Sequence, residues 1–128
     1  MSKIDLQHSF CERLENNIIY VHVNNDADID VEQVSQIRET NEKLANGTNY
    51  VVLFEIAEFA FVSKEAREYG GENKLGELRK AMAIVVKSMA HRLLANFFIN
   101  VNKPPTPTKV FNDKEKALEW LNKFTEQF

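Results

Sequence analysis

The feature that most constrains the fold is an apolar segment, residues 50–56, with the sequence YVVLFEI. Only Glu55 interrupts it, and a run without polar alternation is typical of a strand covered on both faces, as in parallel sheets. A short connection, AEFAFV, follows. Ser63 then occupies a suitable position to cap a helix that carries Ala66 and Tyr69 inward. The segment therefore predicts a central strand that leads into a helix.

An antiparallel hairpin is predicted ahead of this strand. Residues 4–14 alternate between apolar and polar side chains at first, and residues 18–23, IIYVHV, are β-branched or aromatic, which favours strands. Residues 15–17, Glu-Asn-Asn, supply the turn between them, because asparagine tolerates the positive φ that tight hairpins require.

A crossover helix is predicted between the hairpin and the central strand. Asp30 is its candidate N-cap, and Gln33 lies three residues further on, in the register of a capping box. Gly47 follows where a left-handed residue ends many helices. One apolar stripe along this helix comprises Val31, Val34, Ile37, Leu44 and Ala45.

The chain beyond the helix at Ser63 repeats the theme of strand and helix. The glycine pair at 70–71 weakens or ends that helix. Residues 72–80 are expected to form a loose helical turn with Leu75 and Leu78 packed, and residues 81–86, AMAIVV, predict a second buried strand.

Two amphipathic helices are predicted near the C-terminus. The first begins after Ser88, and its apolar stripe is expected to pack tightly against the sheet. Pro104 ends it, and a proline-rich loop leads into a short strand at residues 109–111. Asn112 and Glu115 have capping-box spacing for the last helix. The stripe of the first helix comprises Met89, Ala90, Leu93, Leu94, Phe97, Phe98 and Val101.

The predicted order is β-β-α-β-α-β-α-β-α over a single domain, residues 1–128. Alternating strands and helices with short connections indicate an α/β fold with a mixed sheet, parallel apart from the N-terminal hairpin.

A net charge of −3, from 16 basic and 19 acidic residues without a basic block, argues against nucleic acid as a partner. The longest apolar run is too short to span a membrane. No secretory signal is apparent, and a single cysteine, Cys11, is typical of a cytoplasmic protein.

This order, with VVLFEIAEFAFVSKEA at its centre, resembles the STAS-like fold of bacterial anti-sigma-factor antagonists. In that family a buried strand runs into an Asp-Ser loop at a helix start, and phosphorylation of the serine switches partner binding. Residues 61–66, FVSKEA, occupy the matching stretch, with Ser63 where the family has Asp and Lys64 where it has the phosphorylated Ser. The Asp-Ser-x-Gly signature is absent.

The C-terminal sequence PTKVFNDKEKALEWL is similar to the last strand and helix of small uncharacterised bacterial STAS-like proteins. Their fold is shared with CRAL-TRIO lipid-binding domains. The resemblance extends from the hairpin to Phe124, and it implies a non-enzymatic regulatory or protein-interaction domain.

Ser63 has two interpretations. It can act as a helix cap alone, or it can be a regulatory phosphorylation site, because a helix N-terminus attracts a dianion and Lys64 and Arg67 are close in sequence.

Other candidate sites fail on spacing. The aspartates at 26, 28 and 30 lack the glycine and glutamate of an EF-hand loop, so we expect no metal. With a turn at Asn16, His22 lies opposite Phe10, and His8 is its diagonal neighbour on the same face. A metal-binding histidine pair is the less favoured interpretation of these two residues. Cys11 lies on the other face, so a nucleophilic cysteine-histidine pair is not expected. Glu55 and Glu58 are interpreted as solvated strand-end residues. We expect no cofactor, since no glycine-rich loop follows a strand.

Two functions therefore remain. The first is a protein-interaction domain, for a protein partner or a second copy of the chain, that docks through the loop and helix at Ser63. Its expected contacts are Glu58, Phe59, Phe61, Ser63, Lys64 and Arg67. The alternative is a binder of a small apolar or lipid-like ligand between the last two helices and the sheet, based on Phe97 and Phe98. An enzyme is not expected, because no nucleophile, base and oxyanion donor combine.

Overall fold

A computed structural model describes residues 2–72 and 77–128. Over these residues six strands form one mixed sheet in the order β1-β2-β3-β5-β7-β8, and two short strands form a second sheet, β4-β6. The strands are β1 (Lys3–Asp5), β2 (Ser9–Arg13), β3 (Ile18–Val23), β4 (Asp28–Ile29), β5 (Tyr50–Ile56), β6 (Phe61–Val62), β7 (Arg79–Val86) and β8 (Thr108–Phe111).

Four helices cover the six-stranded sheet in the described part of the chain. They are α1 (Val31–Ala45), α2 (Lys64–Gly71), α3 (Met89–Asn102) and α4 (Lys114–Thr125). None of the helices in these ranges is both long enough and apolar enough to cross a membrane. The predicted α/β class, with a mostly parallel sheet and an N-terminal antiparallel hairpin, is confirmed.

β5 is the central strand, as predicted. It pairs in parallel with β3 on one side and with β7 on the other. Its side chains divide between two cores: Val52 and Ile56 pack with α1 and the nearby helices, whereas Val51 and Leu53 pack against Ala117 of α4. A strand paired at both edges and covered on both faces has no position for solvated side chains, which explains its continuous apolar sequence.

The N-terminal segment differs from the prediction of one strand over residues 4–14. Gln7 has a positive φ of 76° and splits the segment into β1 and β2, which pair with each other. The hairpin of β2 and β3 forms as predicted, with Phe10 opposite His22 and with Asn16 and Asn17 in left-handed conformations in the turn.

Helix ends follow the sequence signals in most places. Asp30 and Gln33 form both hydrogen bonds of a capping box on α1, and Asn46 and Gly47 are left-handed after its end. The N-cap of α4, however, is Asp113, whose carboxylate accepts from the backbone N–H of Glu115; the prediction of Asn112 is wrong by one residue.

The expected helical turn over residues 72–80 is not present where the chain is described. Glu77 and Leu78 are not helical, and β7 begins at Arg79, two residues earlier than predicted. Leu78 is half-buried against the core, whereas Leu75 lies outside the described residues.

α3 does not pack as tightly as its stripe predicted. Only Ala95 and Phe98 are buried on this helix of 14 residues. Large apolar side chains at a spacing of four residues point to solvent instead: Met89, Leu93, Phe97 and Val101. The apolar face of α3, which we predicted to be buried against the sheet, is therefore mostly exposed.

The end of α2 gives a test of the packing between α2 and α3. A methyl group at Gly71 would overlap the buried ring of Phe98, whereas one at Gly70 would lie 3.4 Å from Val34 Cγ1, an ordinary contact. Gly71→Ala should therefore lower the free energy of unfolding by about 1–3 kcal/mol. Gly70→Ala, the matched control, should leave it unchanged or raise it by up to about 1 kcal/mol. Urea denaturation followed by circular dichroism measures both, and equal effects would contradict this packing.

Candidate functional site

The predicted docking residues lie on the loop after β5 and on the first turn of α2. Phe59 and Phe61 are exposed, with 67% and 57% of their surface accessible. The backbone that carries them is held in place: Phe59 N–H donates to Asn25 Oδ1 at 3.1 Å, and Phe61 N–H donates to Ala27 O at 2.9 Å. Two aromatic side chains are thus presented to solvent by an ordered loop.

Ser63 is the N-cap of α2, as one of its two interpretations predicts. Its Oγ accepts from the backbone N–H of Ala66 at 3.0 Å and donates to Asp30 Oδ1 at 2.8 Å. Asp30 in turn caps α1, so one hydrogen bond joins the N-termini of two helices. The hydroxyl of Ser63 and the backbone N–H of Val31 together hold the pKa of the Asp30 carboxyl below its usual value.

The remaining predicted contacts point in different directions. Lys64 and Glu58 are exposed. Glu58 borders a polar cleft that also includes Lys87. Arg67 is half-buried, and its Nη1 donates to Val62 O at 2.7 Å. Arg67 and Phe61 line one cavity together, so the structure brings those two side chains to the same place.

Exposed apolar residues of α3 lie next to the loop that carries Phe59 and Phe61, and the sequence analysis did not predict this contribution of α3. His91 Nε2 donates to Ala60 O at 2.8 Å and so attaches the start of α3 to the loop. We define the α3–loop surface as the exposed apolar side chains of both segments: Phe59, Phe61, Met89, Leu93, Leu94, Phe97 and Val101. The stripe itself was visible in the sequence, but the same pattern is typical of a helix that packs on a core.

A cavity of about 110 Å³ lies beneath this surface, between the sheet and helices α1, α2 and α3. Its floor is formed by alternate residues of β5 and β7, among them Val52, Ile56 and Ile84, and its walls include Ala95 and Phe98 of α3. α4 packs on the opposite face of the sheet. We predicted a site between the last two helices and the sheet; of those two helices, only α3 lines this cavity.

Three polar side chains share one end of this cavity. Arg79 is 5% exposed, and it donates to Gly70 O at 2.8 Å and to Glu72 O at 3.0 Å. Arg38 donates to Glu72 O at 2.8 Å and pairs with Glu77 at 3.5 Å. Burial, and then the nearby Arg38, lower the pKa of Arg79 to about 10. Asn41 lies beside them along α1.

Tyr20, His22 and Glu55 form a polar cluster on the other face of the sheet, which the sequence analysis did not predict. Glu55 is 8% exposed and accepts a short hydrogen bond from the hydroxyl of Tyr20, so its interpretation as a solvated strand-end residue is wrong. His22 Nε2 lies 3.8 Å from Glu55 Oε1, and its ring stacks on Phe10. Burial and the bond to Glu55 raise the pKa of Tyr20. The alignment of Tyr20, His22 and Glu55 depends on strand register, which the sequence does not display.

The other histidine and the cysteine are placed apart from this cluster. His8 binds Ser9 and Gln36, the latter on α1, so it does not share a face with His22. Cys11 is fully buried, and burial raises the pKa of its thiol to about 12. Within residues 2–72 and 77–128 no three histidine, cysteine, aspartate or glutamate side chains are grouped so that they could hold a metal ion.

Comparison with protein families now identifies the chain. The model of a family described as a domain of unknown function, DUF7793, matches residues 13–125. The chain belongs to this family. No curated protein matches it.

A solved structure shows the same fold. It is an uncharacterised protein of the DUF3478 family from Shewanella loihica PV-4, described as having a SpoIIAA-like fold. It is 20% identical to this chain, covers 88% of it and 91% of its own length, and has a TM-score of 0.59. The DUF7793 chain therefore has a SpoIIAA-like, that is STAS-like, fold. A protein of unknown function from Arthrobacter sp. FB24 is also 20% identical, over 87% and 96% of the two chains, but its TM-score is 0.29.

Ser63→Ala tests the link between the two helix ends. The variant removes one donor to the Asp30 carboxylate, so the pKa of Asp30 should rise toward its usual value in an NMR titration of the carboxyl carbon. Ser88→Ala, which removes the cap of α3, is the matched control and should leave the titration of Asp30 unchanged.

The same variant has a pH-dependent effect on stability. A carboxyl whose pKa is lowered by folding stabilises the protein above the pKa of the unfolded chain, and this stabilisation is lost as the pH falls through the folded pKa. The difference in the free energy of unfolding between the wild type and Ser63→Ala should therefore decrease in acid. The difference that remains should be the contribution of Ser63 as the cap of α2, which does not depend on the charge of Asp30. A difference that stays constant down to the lowest pH would contradict the role of Asp30.

Tyr20→Phe tests the buried cluster. It leaves the Glu55 carboxylate without its phenol donor, so the free energy of unfolding should fall by about 1–3 kcal/mol. A double-mutant cycle with Glu55→Gln separates this interaction from general packing effects. Additive effects of the two substitutions in urea denaturation would show that the hydrogen bond contributes nothing.

Proposed function

We propose that this DUF7793 chain is a non-enzymatic interaction domain that docks on a protein surface, in the simplest case a second copy of itself. The docking residues are Glu58, Phe59, Phe61, Ser63, Lys64 and Arg67, extended by the apolar stripe of α3. The observation that carries the proposal is the exposure of Phe59 and Phe61, at 67% and 57%, on a loop whose backbone is hydrogen-bonded.

An exposed apolar surface of this kind favours association. Single exposed apolar side chains are common on proteins, but a group of them marks a binding site, because its burial removes apolar area from water. The α3 stripe runs from Met89 to Val101, about 18 Å of helix, and it continues the surface begun by the loop.

The charges around this surface fit a second copy. α3 contains no acidic residue, and it is followed by Lys103 and carries Arg92. The other rim, on the loop and α2, carries the exposed carboxylates of Glu58 and Glu65 together with the exposed Lys64. A twofold arrangement can therefore place Arg92 of one copy against Glu58 or Glu65 of the other.

Phosphorylation of Ser63 would act on the same surface. Support comes from its position at a helix N-terminus and from Lys64 and Arg67 nearby. A phosphate there would face the Asp30 carboxylate, which now accepts the hydroxyl at 2.8 Å, so repulsion would replace the bond that joins α1 and α2.

A second candidate function is the binding of a small apolar or lipid-like ligand. The specific observation that favours it is the 110 Å³ cavity lined by β5, β7 and α3. Cavities with mostly apolar walls and a few polar groups are typical of small-molecule sites.

Phe61→Asp tests the docking proposal. A charge at the centre of an apolar contact should raise the dissociation constant of the dimer by at least about tenfold, because buried aromatic side chains dominate such interfaces. Size-exclusion chromatography with light scattering, over a range of protein concentrations, measures the mass of each species. Circular dichroism checks that the variant remains folded.

Phe128→Asp is the matched control, since Phe128 is exposed at the C-terminus and outside the α3–loop surface. It should not change the elution. A wild-type protein that stays monomeric at every concentration, with the same elution for Phe61→Asp, would rule out self-association through this surface.

A further inference from the structure

We propose that the cavity beneath the α3–loop surface binds a small amphiphile with a carboxylate head, held by Arg38 and Arg79, and with a short alkyl body that lies along β5 and β7. This inference rests on the second candidate function, the binding of an apolar ligand, and names the chemical class of that ligand.

The cavity has two different ends, and strand polarity fixes them. Arg79 pairs with Tyr50 at the start of the parallel strands, whereas Ile56 pairs with Val86 at their finish. Residues 52, 54 and 56 of β5 line the cavity in between, over about 13 Å at the usual rise of a strand. The far end is closed by Phe61 and Leu94. A ligand with one polar end and one apolar end matches this arrangement.

Among the described residues at the polar end, two guanidinium groups face one carboxylate. Arg38 and Arg79 both donate to Glu72 O, at 2.8 and 3.0 Å, so their guanidinium groups lie side by side. One carboxylate, Glu77, pairs with Arg38 at 3.5 Å. An anion placed here would reduce the repulsion between two partly buried cations.

Asn41 provides an independent observation at the same end. Its side chain lines the cavity and is 4% exposed, and its Oδ1 has no hydrogen-bond partner among the residues described. A buried polar atom without a partner is costly. A half-turn of the amide places Nδ2 in the same position, where it can donate to a carboxylate oxygen. Asn41 follows Arg38 by three residues on α1 and so shares its face of the helix.

The size of the cavity limits the alkyl body. Its 110 Å³ is below the roughly 150 Å³ of an engineered apolar cavity that takes up benzene. A short chain therefore fills it, and the end of a chain as long as that of hexanoate must displace Phe61 and Leu94, the partly exposed side chains that close the far end. Hexanoate is a suitable probe for this class.

The experiment compares three probes with the same tail: hexanoate, hexan-1-ol and hexylamine. Binding to the full chain is measured by isothermal titration calorimetry and by NMR shifts of the Asn41 amide and the Met82 methyl group, both at the cavity. We expect hexanoate to bind at least about tenfold more tightly than hexan-1-ol, because hydrogen bonds between charged partners are stronger. Hexylamine should not bind.

Two variants test the polar end. Arg38→Gln should reduce the preference for hexanoate over hexan-1-ol to near one. Asn41→Asp, nearly the same in shape, should remove hexanoate binding, because its carboxylate competes for the two guanidinium groups and repels the anion, so it keeps the test decisive if Arg38→Gln fails to fold. Ala95→Leu should fill the cavity and abolish binding of all probes, whereas Ala90→Leu, an exposed position on the same helix, should have no effect.

The outcomes separate the two levels of the proposal. Equal binding of hexanoate and hexan-1-ol, both lost in Ala95→Leu, would keep the apolar-ligand function and overturn the carboxylate class. Hexanoate binding that survives both Ala95→Leu and Arg38→Gln would place the anion elsewhere and overturn the site. No binding of either probe to the wild type would overturn the ligand function together with its class.

Discussion

The pairing of β5 with a parallel strand on each side is the interaction on which the rest of this structure depends. Because both edges of β5 are used for hydrogen bonds, its side chains must divide between the two faces of the sheet, and both faces need a cover of helices. The covers are unequal. α4 alone packs on one core, with Ala117 and Leu121 fully buried, whereas α1, α2 and α3 share the other.

This inequality explains where the candidate sites lie. Three helices over one face leave a gap between them, and the cavity occupies that gap. α3 buries the smallest share of its residues, two of 14 against two of 8 in α2, so its apolar stripe is available to other molecules. The loop after β5 reaches the same region, because parallel strands deliver the chain to one edge of the sheet. Both proposed functions therefore follow from a single arrangement of helices.

The sequence predicted those features that depend on local or nearly continuous patterns. The strand at residues 50–56, the capping box at Asp30, the cap at Ser63 and the hairpin register of Phe10 with His22 were all predictable, since neighbouring residues determine each of them. The same patterns predicted the order of the elements, and the resemblance to the STAS-like fold was based on that order.

The features that sequence reasoning missed depend on the third dimension. The exposure of Phe97 and Val101 is not encoded in the spacing of the stripe, because a helix that packs on a core has the same spacing. Glu55 was interpreted as a solvated residue because its hydrogen-bond partner, Tyr20, is far away in the sequence. The two side chains come into contact only through the pairing of β3 with β5. The cavity likewise has no counterpart in any single segment.

Phe61 belongs to both proposed sites, since it closes the cavity at its far end and stands on the exposed loop. If a ligand in the cavity moves this ring, it changes the free energy of the proposed association at the exposed surface. By thermodynamic reciprocity, any effect of the small molecule on the affinity for the macromolecule would then equal the effect in the opposite direction. A single aromatic side chain would then act as the coupling element of a sensor.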